Sequence, residues 1–205
     1  MKTFMTRTVR RVYASHCNRS IGVSFLVLIS FVCFVPTTLA ADPDTEPHKI
    51  FLPVVTSTTA PTCQLNAQET ALEELLRNHP NQGRVTLACN PTLAAVARAR
   101  ALDMGQRAYF GHTNPDGYGP NYLVRQAGYE LPIEYSTAIN ANNIESIGAG
   151  AGNAEGMWNA WMNSTSHLTH ILGSEDFYAE QVEYGIGFAQ VPGSPYQFYW
   201  VFISS

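Results

Sequence analysis

Apolar positions along this chain fall into two regimes, a helical spacing through the middle and a dense β-type spacing at the end. From Asn66 to Arg77, Ala67, Leu72, Leu75 and Leu76 lie along one stripe, the signature of an amphipathic helix. Asn66 followed three residues on by Glu69 predicts a capping box at its start, and His79-Pro80-Asn81-Gln82-Gly83 ends it. A second helix opens with Pro91 in its first turn and carries Leu93, Val96, Ala97, Ala101, Leu102 and Met104 along one stripe to about Arg107, with an arginine-rich polar face. A short third helix is predicted from about Tyr122 to Gln126, closed by Gly128, and a fourth from about Ala154 to Met162. The period then changes. Residues Tyr184 to Gln190 and Gln197 to Ile203 are β-rich runs around Val191-Pro192-Gly193-Ser194-Pro195, which reads as a hairpin. Helices in the first two thirds and strands at the end predict an α+β fold.

Two N-terminal stretches stand apart from this pattern. Residues 1–40 read as an export signal, with Lys2, Arg7, Arg10, Arg11 and Arg19 ahead of an apolar run from Ile21 to Val35 and a small-residue exit at Thr38-Leu39-Ala40. That run falls short of the roughly 20 apolar residues of a membrane-spanning helix, so cleavage after Ala40 and a secreted product are expected, an uncleaved signal anchor being the alternative. No good lipobox precedes Cys33. Residues 41–62 form a Pro/Thr-rich and acidic linker in which Ile50-Phe51-Leu52-Pro53-Val54-Val55 allows one short edge strand. The domain proper is expected over residues 63–205, with no internal repeat.

Removal of the signal changes the charge. It leaves 7 of the 12 Lys and Arg against all 16 Asp and Glu, a formal net charge near −9. Such a surface repels phosphate backbones and anionic headgroups, which argues against nucleic acid as a partner. Cys17 and Cys33 leave with the signal, so Cys63 and Cys89 are the pair that reaches an oxidising compartment. A Cys63 to Cys89 disulfide is the preferred reading, two buried free thiols the other.

Three separated motifs carry the candidate chemistry: Ala108-Tyr109-Phe110-Gly111-His112-Thr113-Asn114-Pro115-Asp116-Gly117, then Glu145-Ser146-Ile147-Gly148-Ala149-Gly150, then Trp158-Asn159-Ala160-Trp161-Met162-Asn163-Ser164-Thr165-Ser166-His167. In this order and spacing they resemble the CAP superfamily (cysteine-rich secretory proteins, antigen 5 and pathogenesis-related-1) in its compact bacterial form, over roughly Leu65 to Ser205. The resemblance implies an α-β-α sandwich and makes His112 and His167 the paired cavity histidines. The family's Glu-Asn-Ile-Ala-x-Gly segment reads Glu-Ser-Ile-Gly-Ala-Gly here and places its carboxylate at Glu145, although Asn142-Asn143-Ile144 offers a rival register without a glutamate. The bacterial Trp-Met-x-Ser-Pro-Gly-His pattern has Thr165 and Ser166 in place of Pro and Gly. A second glutamate of eukaryotic relatives falls on Ser164, so the fourth position of their His, Glu, Glu, His tetrad is not carried over.

His112, Glu145 and His167 are therefore the expected ligand-binding residues, and His112 and His167 the expected metal ligands. A carboxylate beside two imidazoles fixes a tautomer and raises ring basicity. Two firm ligands imply weak binding of Zn²⁺ or another divalent cation. His170 is expected to be a surface or packing histidine, recruitable as a ligand only if its segment is helical. Asp116 is expected to cap backbone amides in its turn, and Tyr109, Phe110, Trp158 and Trp161 to lie in the core. The Asn163-Ser164-Thr165 sequon is idle in a bacterial source. No serine lies in a nucleophile elbow, so any hydrolysis would run through His112, His167 and Glu145. The resulting expectation is a secreted, monomeric binding module for a small-molecule, lipid, cell-wall or protein partner. The alternatives are an extracellular metal- or acid/base-assisted hydrolase and a structural or adhesive module.

Overall fold

A computed structural model describes residues 62–205 of the chain; the signal segment, Cys17, Cys33 and all but the last residue of the linker lie outside the described residues. The first helix, α1 (Ala67–Arg77), begins at Asn66, whose side chain accepts from the Gln68 and Glu69 amides while the Asn66 amide donates to Glu69 Oε2 at 2.9 Å. This is the expected capping box. The same Glu69 is fully buried, holds Arg98 at 2.7 Å and accepts from the Phe188 amide. One carboxylate therefore ties three elements together.

A two-residue strand β1 (Ala88–Cys89) precedes α2 (Pro91–Gln106), which Asn90 caps and Pro91 opens. Helix α3 (Pro120–Gln126), strand β2 (Glu145–Ala149), and helices α4 (Ala154–Met162), α5 (Thr165–Leu172) and α6 (Asp176–Ala179) follow. The chain ends in the antiparallel pair β3 (Glu183–Gln190) and β4 (Phe198–Ser204). The four strands are ordered β1-β3-β4-β2, with β1 parallel to β3 and the other pairs antiparallel. The C-terminal hairpin is thus the centre of the sheet, and its edges come from short segments that lie between the predicted helices. Helices also run further than the first two thirds, since α5 and α6 reach Ala179.

Alternation along β4 builds two cores, one on each face of the sheet. Trp200 and Phe202 pack with Tyr184 and Ile186 against α1, α4 and α5, where Leu72, Leu76, Trp158, Trp161 and Ile171 are buried. Tyr199, Val201 and Ile203 face the opposite side, against Leu93, Ala97 and Met104 of α2. The layers are α-β-α. The alternating glycines of Tyr184-Gly185-Ile186-Gly187-Phe188 make the α2 layer possible. A Cβ at Gly185 or Gly187 would lie 2.2 Å from the α2 backbone at Leu93–Ala94 and Ala97–Arg98, inside any permissible contact.

Cys63 and Cys89 are joined by a disulfide that links the chain ahead of α1 to β1. Among the described residues no helix is long and apolar enough to cross a membrane.

Candidate functional site

Glu145 opens β2, an edge strand, and is aimed by its own approach. Asn142 Oδ1 accepts from the Ile144 and Glu145 amides at 3.1 and 2.8 Å, and Asn142 Nδ2 donates to the Glu145 carbonyl at 3.0 Å. The rival Asn142-Asn143-Ile144 register is thus the turn that positions the glutamate. The Glu145 carboxylate is buried beneath α2, where Arg100 donates to it twice, from Nε at 2.9 Å and from Nη2 at 3.1 Å. Two-point pairing of this kind fixes direction as well as charge.

Arg100 was not foreseen as a site residue, yet its position in the sequence gives it away. It lies on the buried stripe of α2, three residues after Ala97 and four before Met104, where an apolar side chain is expected. Its guanidinium also donates to Tyr109 Oη at 2.6 Å and to the carbonyls of Gly111 and His112, each at 2.9 Å. Burial opposes its charge, but the Glu145 carboxylate and then Tyr109 outweigh that and raise its pKa. One buried cation therefore holds both the glutamate and the backbone of the histidine loop.

His112 Nδ1 lies 3.0 Å from Glu145 Oε1. A carboxylate only accepts, so the ring donates from Nδ1, and the neutral form of the ring then has its lone pair on Nε2. The rest of the loop is set by Asn114, whose Oδ1 accepts from the amides of Asp116 and Tyr118 at 3.0 and 2.9 Å. Here the expectation for Asp116 is corrected. It caps no amide and instead pairs with Arg107 at 2.6 Å, because Asn114 comes first in the turn and already occupies those donors.

His167 sits in the first turn of α5, half-buried, with Nδ1 2.8 Å from Ser164 Oγ. Ser164, standing where eukaryotic relatives carry a glutamate, thus steadies the second imidazole with a neutral group. Burial first, then the proximity of His112, lowers the His167 pKa, partly offset by the Ile147 carbonyl. His112, Glu145 and His167 line a single cavity of about 170 Å³, together with Ser146, His170 and Tyr178. The cavity wraps the start of β2, so side chains from both faces of that edge strand reach it.

The remaining expectations divide. His170 is a packing histidine, buried in α5, with Nδ1 2.7 Å from Ser146 Oγ and Nε2 2.9 Å from Ser204 Oγ. With both nitrogens engaged it is unavailable as a metal ligand. Trp158 and Trp161 are core residues and Tyr109 is half-buried. Phe110 is not in the core: it is 45% exposed and packs on Tyr196 at 5.5 Å between ring centroids, because Arg100 pulls the loop backbone inward through Gly111 and His112.

As a donor set for a divalent cation, the cavity offers Nε2 of His112 and the imidazole of His167, whose Nδ1 faces a hydroxyl that can either donate or accept. Glu145 is spent on Arg100 and His112. Among the described residues no group of three or more His, Cys, Asp and Glu side chains is close enough together to hold a metal ion. Two imidazoles fit a weakly held cation and fall short of a structural zinc site.

The chain belongs to the cysteine-rich secretory protein (CAP) family, whose match covers residues 75–204. It is 34% identical over 118 residues to an uncharacterized protein, YkwD, of Bacillus subtilis, across 57% of this chain and 42% of that protein; the chain spans about two fifths of that relative's length. Similar solved structures include an outer surface protein of Borrelia burgdorferi (18% identity, TM-score 0.49, covering 66% of this chain and 90% of that one). Another is an extracellular protein containing an SCP domain from Bacillus anthracis (19% identity, TM-score 0.48, covering 67% of this chain and 40% of that one).

Proposed function

We propose that this protein is an exported CAP-domain binding module whose groove, formed around His112, Glu145 and His167, holds a divalent cation such as Zn²⁺ weakly and, with it, a small or lipidic ligand or a segment of a cell-wall or protein partner. The observation that carries this reading is the Arg100–Glu145–His112 chain. A buried ion pair fixes one imidazole with its Nε2 lone pair free, in the cavity that His167 also lines. Export is supported by the basic and apolar residues 1–40 and by the disulfide, a bond characteristic of oxidising compartments.

The hydrolase alternative is disfavoured for one specific reason. Its candidate base, Glu145, has Oε1 shared between Arg100 and His112 and Oε2 bound to Arg100, which suits a group that orients a ring better than one that takes a proton from water.

The test is calorimetric titration of the mature protein with Zn²⁺ near pH 7.5 beside the His112→Ala, His167→Ala double variant. The reading expects saturable binding in the wild type and none in the variant. Equal heats from both proteins would remove the cation from the proposal and favour a metal-free groove or a structural module.

A further inference from the structure

Behind the cavity runs a closed chain of buried polar side chains whose hydrogen-bond direction can be assigned from end to end. Gln181 Nε2 lies 2.9 Å from the Asn143 carbonyl oxygen and 3.0 Å from Tyr135 Oη. A carbonyl cannot donate, so the amide nitrogen of Gln181 must face it and Oε1 faces the other way. There Oε1 accepts the Ser204 hydroxyl proton at 2.7 Å. With that proton spent, Ser204 Oγ accepts from Arg84 Nη2 at 3.3 Å and from His170 Nε2 at 2.9 Å. The His170 ring therefore carries its proton on Nε2, and its Nδ1 accepts the Ser146 hydroxyl proton at 2.7 Å. Ser146, His170, Gln181, Ser204 and Arg84 are all buried, where water cannot rearrange this order.

The arrangement resembles an activated serine but lacks the means to act as one. The chain ends in a neutral amide, and a proton transferred to His170 would lie beside the Arg84 guanidinium, which donates to the same Ser204 oxygen. What the order does achieve is to turn the Ser146 hydroxyl inward. Its proton is committed to His170, so toward the cavity Ser146 Oγ has only lone pairs to offer. Ser164 Oγ can accept from His167 Nδ1–H, and with that tautomer the cavity is lined by three groups that present lone pairs: His112 Nε2, His167 Nε2 and Ser146 Oγ.

Resting on the two-histidine cation site proposed above, we infer that Ser146 Oγ is the third protein ligand of that site, oriented by the His170–Ser204–Gln181 relay. Two imidazoles and a hydroxyl oxygen, with water completing the shell, form an open three-ligand set, one that a count of His, Cys, Asp and Glu alone does not reveal. His170 acts here as a positioning residue.

The inference is tested with Co²⁺ alone, titrated into the mature wild-type protein, Ser146→Cys, Ser146→Ala, and Ser146→Cys combined with His112→Ala and His167→Ala, followed by absorption spectroscopy and calorimetry. Cysteine keeps nearly the serine shape, and a thiolate bound to cobalt gives a near-ultraviolet charge-transfer band that no nitrogen or oxygen ligand supplies. We expect that band in Ser146→Cys, with tighter binding than in the wild type, and its loss in the triple variant. Ser146→Ala, which only deletes an oxygen, is expected to bind Co²⁺ about ten-fold more weakly. Co²⁺ binding by Ser146→Cys without the band, together with wild-type affinity in Ser146→Ala, would overturn the role of Ser146 while leaving the two-histidine site standing. Absence of histidine-dependent Co²⁺ binding in the wild type and in Ser146→Cys would overturn both.

Discussion

Acid should unfold this protein through His170, and the size of the effect can be worked from its surroundings. The ring is fully buried, and that burial, then the nearby Arg84 charge, pushes its pKa down to about 3, against 6.5 for an exposed histidine. The unfolded chain therefore binds a proton at this site between those two values while the folded chain does not. Stability is fully present above pH 6.5 and is lost as the pH falls toward 3. For one such group the loss is about 2 kcal/mol at pH 5 and about 3 kcal/mol at pH 4. That is a large share of the roughly 5–15 kcal/mol by which domains are stable. The assay is urea unfolding at pH 7, 5 and 4, read by tryptophan fluorescence, on the wild type and on His170→Gln, which retains a hydrogen-bonding side chain but cannot titrate. The variant should be weaker at pH 7 and should lose less with acidification, by about 3 kcal/mol at pH 4. Parallel pH profiles for the two proteins would refute the reasoning, because the acid sensitivity would then belong to other groups.

Two further predictions concern what holds the site and the chain. Arg100→Met leaves the Glu145 carboxylate buried without its cation and should cost about 3–5 kcal/mol, seen as a lower urea midpoint, and it should loosen the loop of Gly111 and His112 that Arg100 also binds. Reduction of the Cys63–Cys89 disulfide, which spans 26 residues, should lower stability by about 3–4 kcal/mol from loop entropy, measured as the difference in unfolding free energy with and without reductant.

Local signals carried much of the fold. Asn66 and Glu69 announce α1 because capping is a short-range interaction, Pro91 announces α2, and the Val191–Pro195 turn separates β3 from β4 at close to their observed limits. The edge strands were hidden for a physical reason. β1 has two residues, and β2 is Glu-Ser-Ile-Gly-Ala, a composition with little β-propensity that becomes a strand only because β4 lies alongside it. Helix α5 was missed because Asn163–His167 reads as a loop, and its stop is a single left-handed Gly173.

The candidate site divided in the same way. His112, Glu145 and His167 were legible as motifs, but the groups that orient them were not. Arg100 carries no motif, Ser164 lies in one without a sign that it would brace His167, and Ser204 and Gln181 are far from Ser146 in sequence. Their roles depend on long-range packing that places an α2 arginine under β2 and a β4 hydroxyl against α5. The one visible clue was an arginine on a buried helical stripe.

The central claim is that His112 and His167 turn their Nε2 nitrogens to a shared cation while His170 does not. Nitrogen-15 NMR of the imidazole rings, with and without Zn²⁺ near pH 7.5, tests it most directly. The account predicts a His112 ring protonated at Nδ1, a His170 ring protonated at Nε2, and Zn²⁺-induced shifts of the Nε2 signals of His112 and His167 with His170 unmoved. A His112 ring protonated at Nε2, or Zn²⁺ shifts absent from both His112 and His167, would contradict it.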